Sequence, residues 1–85
     1  MYLFLQQSAP GPVPPRYVRL SVGRDLLGSW ELLRETGQIG GRSQLRREIF
    51  GDCDEALAAF EAYRAQYTRR GYAPPESTVV PAATL

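Results

Sequence analysis

The segment 25–42, DLLGSWELLRETGQIGGR, constrains the fold most, because glycine punctuates both of its ends and leaves one uninterrupted extended run between them. Gly28 tolerates positive φ, so Leu26-Leu27-Gly28-Ser29 predicts a turn; residues 30–39 then supply one long strand, which Gly40-Gly41 ends. A turn followed by such a strand pairs back on what precedes it, as a hairpin. Period two puts Leu33 and Ile39 on a core face and Arg34, Thr36 and Gln38 on a polar display face, with Glu35 interrupting the pattern.

The flanking stretches supply the hairpin's neighbours. Residues 16–24 alternate cleanly, with Val18, Leu20 and Val22 inward and Tyr17, Arg19 and Ser21 outward. Residues 2–7 read as a first strand at the sheet edge. The Pro-rich loop 10–15 between these two strands is stiff and extended, because proline cannot donate ladder hydrogen bonds. After the turn at residues 40–43, residues 44–50 form the next strand, with Leu45 and Ile49 on the core side and Arg46 and Glu48 outward; Arg47 falls on the core side, so it is expected near an edge or reaching out to solvent. Asp52 with Glu55 three residues on marks a helix start, and Cys53, Ala56, Leu57, Phe60, Tyr63 and Tyr67 share one helical face. Gly71 stops the helix and Pro74-Pro75 prevent its continuation. Val79-Val80 can pair with a sheet edge or fray. The expected fold is α+β: a compact antiparallel sheet of four to five strands packed by one long helix, with a single domain over residues 1–73 and a tail over 74–85.

With 85 residues the core is a single layer between sheet and helix. All ten basic residues are arginine, and the chain has no lysine, histidine or asparagine. Net charge is +1, but its distribution is uneven. Residues 16–47 hold seven arginines against Asp25, Glu31 and Glu35, while residues 48–62 hold five carboxylates and no base. The sheet is therefore basic and the start of the helix acidic. The helix-end charges also complement the helix dipole.

Several chemistries are excluded by what is missing. Without histidine there is no Ser-His-Asp or Cys-His system. Asp52, Asp54 and Glu55 point in different directions from a helix start, so they form no metal site, and no cofactor or small-molecule substrate is expected. Cys53 reads as a small core residue; as the one cysteine, it excludes an internal disulfide and fits a reducing, cytoplasmic setting. The run 37–41 is glycine-rich, yet no helix follows it to receive a phosphate. The apolar opening, residues 1–5, is too short for a membrane span and lacks the basic flank of a signal peptide. The chain is expected not to be an enzyme.

A set of anchors in fixed order covers residues 17–72: Tyr17-x-x-Leu20, Asp25-x-x-Gly28-x-Trp30-x-Leu32-x-Arg34, Gly37-x-Ile39-Gly40, Phe50, Ala56-Leu57 and Arg70-Gly71-Tyr72. In this order and spacing the chain resembles the WGR domain family, small sheet-plus-helix modules of poly(ADP-ribose) polymerases and of many short bacterial proteins. The resemblance implies a compact antiparallel sheet under one long helix, and a role in contacting duplex DNA or DNA ends. The family's Trp-Gly-Arg triplet falls on Thr36-Gly37-Gln38, which offer a hydroxyl and an amide in place of an aromatic ring and a cation.

Two functions stay open at this point. The first is nucleic-acid binding through Arg19, Arg34, Thr36, Gln38, Arg42 and Arg46, with the arginines converging as a ridge on the open side of the sheet; three or four phosphate contacts would give weak, salt-sensitive binding. The second is a protein-interaction or homodimerisation module that has lost DNA binding and pairs through its apolar first strand.

Overall fold

The computed structural model describes residues 1–75. Four strands, β1 (Tyr2–Gln7), β2 (Arg16–Arg24), β3 (Trp30–Gln38) and β4 (Ser43–Phe50), form one antiparallel sheet in chain order, and the helix α1 (Cys53–Arg69) packs on one side of it. This is the α+β arrangement expected. Val79-Val80 lie outside the described residues.

The β2–β3 turn is built by its own residues. Asp25 Oδ1 accepts hydrogen bonds from the amides of Leu27 and Ser29, each at 2.9 Å, and Gly28 sits at φ 89°. This turn sets the register Arg24↔Trp30, Val22↔Leu32, Leu20↔Arg34 and Val18↔Thr36. Even-numbered residues of β3 therefore lie beside Val18, Leu20 and Val22, which are buried under the helix.

That register reverses the sides expected for β3 and β4. Trp30, Leu32, Arg34, Thr36 and Gln38 share the helix side, and Leu32 is fully buried; Glu31, Leu33 and Glu35 occupy the open side, so Glu35 interrupts nothing. Opposite them, Arg46, Glu48 and Phe50 lie on the helix side, while Leu45 and Ile49, expected in the core, are on the open side at 64% and 50% exposure. The cause is the apolar pair Leu32-Leu33, which satisfies either parity until the turn fixes one. Arg47 is on the open side and ion-paired with Glu31.

The core joins Leu5, Val18, Leu20, Val22 and Leu32 of the sheet to Ala56, Phe60 and Tyr67 of the helix and to Tyr72 beyond it. Helical spacing puts Ala56, Phe60 and Tyr67 on one face, as their sequence pattern predicts. Asp52 caps α1, accepting from the Glu55 amide at 2.8 Å. At the other end Gly71, at φ 92°, lets the Tyr72 amide return to the Tyr67 carbonyl and its own amide to Thr68, a Schellman stop. The chain then reaches β1, where Ala73 and Gln6 exchange both backbone hydrogen bonds at 2.8 Å.

Candidate functional site

Five of the six residues singled out by the sequence come together. Arg34, Thr36 and Gln38 alternate along β3 on the helix side; Arg46 lies directly opposite Arg34, and Arg42 stands in the β3–β4 turn. Arg19 is the exception. It lies on the open side, its guanidinium 3.1 Å from Glu35 and within 5.7 Å and 6.0 Å of the Phe4 and Tyr17 ring centres. An arginine ridge on the open side therefore does not form. The basic residues gather on the other side instead, where α1 ends and leaves the first half of β4 uncovered.

Arg34 is half-buried and works as a strut between sheet and helix. Its guanidinium lies 4.5 Å from the Tyr63 ring centre and donates to Tyr67 Oη at 3.2 Å, while its Nε is buried without a partner. Burial works against its charge, but the Tyr67 hydroxyl and the nearby Glu48 carboxylate outweigh that and raise its pKa, so it is a permanent cation. Tyr63 in turn donates to Glu48 of β4. With these groups engaged on the helix, Arg34 is not available to grip a ligand as Arg46 is.

Three further residues belong to the site. Arg16 pairs with Gln38 in register, and the Gln7 side chain donates to the Arg70 carbonyl at 2.6 Å, fastening the helix end to the sheet end. Gln7, Arg16, Thr36, Tyr67, Arg70 and Tyr72 line one shallow depression; Arg16, Thr36, Gly37, Arg42, Ser43 and Gln44 line a second. The two meet at Arg16 and Thr36. Arg16 could have been found from its even parity with Val18 and Leu20. Arg70 carried a misleading signal, because a cation at a helix end also serves the dipole.

Among the described residues no ion pair holds the cations of this shoulder. The described ion pairs are Arg19–Glu35, Arg47–Glu31 and Arg64–Glu61, none involving Arg16, Arg42, Arg46 or Arg70. Arg70 rests over the Tyr67 ring at 5.4 Å. By strand spacing and rise, Arg16 and Arg46 stand roughly 17 Å apart, about five base-pair rises along a duplex. The carboxylates Asp52, Asp54 and Glu55 lie at the opposite end of α1 from Arg70.

These features define a small α+β module with one basic shoulder and, on the open side of its sheet, arginines paired with carboxylates. Residues 1–79 match the WGR domain family, and the chain belongs to it. The match extends beyond the anchors at residues 17–72 on both sides. That membership suggests a nucleic-acid-binding module in general. The chain is also 32% identical over 72 residues to the uncharacterised protein y4dW of Sinorhizobium fredii, covering 85% of this chain and 35% of that protein. It thus spans about a third of the length of this curated relative. No solved structure matches it. Among the described residues no helix is long and apolar enough to cross a membrane.

Proposed function

We propose that this chain is a non-enzymatic module that binds duplex DNA through the phosphate backbone. Arg16, Arg42, Arg46 and Arg70 supply the cations, and Thr36 and Gln38 supply neutral hydrogen-bonding groups. The observation that carries this reading is the set of guanidiniums at two adjoining depressions, with Arg16, Arg42 and Arg70 lining them and Arg46 next after Gln44 on the same side of β4, none of them ion-paired among the described residues. Guanidinium forks suit phosphate, and four contacts predict log K falling by about 3.6 per decade of salt. Fluorescence anisotropy with a labelled blunt duplex across salt concentrations tests it. Arg16→Ala with Arg46→Ala should lower that slope by about 1.8, and Arg19→Ala should leave it unchanged. A slope that responds to Arg19 and ignores Arg16 and Arg46 overturns the assignment.

One observation favours a second reading, pairing with a second copy of the chain. Among the described residues the outer edge of β1 is bonded only at Gln6; by alternation the backbone of Tyr2 and Phe4 also faces that edge, and Tyr2 is exposed. Sedimentation would then show a concentration-dependent dimer that disappears when residues 2–5 are removed.

A further inference from the structure

We infer that the shoulder takes the backbone of a duplex interior and has no preference for a DNA end, an inference that rests on the DNA-binding reading above. An end differs from an interior by the exposed flat face of its last base pair and sugar. Holding that face takes a free π-surface, which contributes ~1–3 kcal/mol per stacked base.

The rings near the shoulder are already engaged. Tyr67 and Tyr72 are buried and pack edge to face on each other at 5.1 Å, Arg70 covers Tyr67, and Arg34 covers Tyr63. Trp30 stands at the far end of β3 with Arg24 5.4 Å from its ring centre. Ile39, the exposed apolar residue in the β3–β4 turn, has no π face. From β3, Thr36 offers a hydroxyl to both depressions, and Gln38, next on that side and opposite Arg16, carries an amide. Shape points the same way, because the depressions run into one another across Arg16 and Thr36. A strand can therefore pass from the Arg70 side to the Arg42 side without having to stop.

The test compares three DNA probes at one low salt concentration: a blunt duplex, the same duplex closed at both ends by hairpin loops, and a blunt duplex three times as long. Interior binding predicts equal affinity for the first two within about twofold, and at least about threefold tighter apparent binding per molecule of the longest, because registers multiply with length. A blunt duplex bound more than twofold tighter than the closed one, or an affinity independent of length, overturns the inference while leaving DNA binding intact. Failure to bind any probe overturns the DNA reading itself. Thr36→Trp adds the missing ring. It should make the blunt duplex the tighter ligand by more than twofold while the closed duplex still binds, and no such gain would refute the placing of Thr36 at the contact.

Discussion

At Gly37, a methyl group would stand 2.9 Å from Ser43 Cα and closer still to the Arg42 carbonyl, so the β3–β4 hairpin closes over this residue with no room for a side chain. The central glycine of the triplet is there for backbone approach. Gly37→Ala should destabilise by about 1–3 kcal/mol, seen as a lower urea midpoint, whereas Gly23→Ala, which meets nothing within 4 Å, should change stability by less than about 0.5 kcal/mol. Arg34 carries a comparable lesson about roles. A cation in the arginine-rich stretch 16–47 reads as a phosphate ligand, yet its partners Tyr63 and Tyr67 come from 29 and more residues later in the chain and cannot be seen in local spacing. Arg34→Ala should cost about 1–3 kcal/mol of stability by removing the stem, the ring contact and the Tyr67 partner. If it left thermal stability unchanged while abolishing DNA binding, the strut assignment would be wrong.

The strands, the helix and its stops were legible in the sequence because each rests on local chemistry: alternation in β2, the Asp52 cap, the Gly71 stop, the turn at residues 26–29 marked by Gly28. Which side of β3 and β4 faces the helix was not legible from those strands alone. Leu32-Leu33 in β3 is apolar at both parities, and Leu45 with Ile49 in β4 mimics a core stripe on the exposed side. The decision lies in the turn at residues 25–29, which pairs even residues with the unambiguous Val18, Leu20 and Val22. Paired substitutions read this directly. Leu32→Ala should cost about 2–5 kcal/mol and Leu33→Ala less than about 1 kcal/mol, measured by chemical denaturation; equal costs would refute the register. The same inversion moved the candidate site. Residues 34, 36, 38 and 46 kept one another's company, because parity errors carry a whole set across the sheet together.

For the whole molecule, binding and stability should respond differently to pH. The site's cations are all guanidiniums, and the chain has neither histidine nor lysine, so DNA affinity should stay constant between about pH 6 and pH 9. Stability has a different dependence, because two phenols link separate elements: Tyr17 of β2 donates to Glu35 of β3 at 2.5 Å within the sheet, and Tyr63 of α1 donates to Glu48 of β4, joining helix to sheet. Each hydrogen bond to a carboxylate, followed by burial, raises the phenol's pKa, since ionisation would remove the donor and place two negative charges together. A folded-state pKa above the unfolded value means that the contribution is fully present below about pH 10 and is lost as pH rises through the folded-state pKa. The urea midpoint should accordingly hold steady at mildly alkaline pH and fall above about pH 10. Tyr17→Phe combined with Tyr63→Phe should lower the midpoint at neutral pH and flatten the alkaline fall, because the two bonds are already gone. A double variant whose midpoint falls as steeply as the parent's would show that these phenol–carboxylate contacts do not contribute to holding β2 to β3 and α1 to β4.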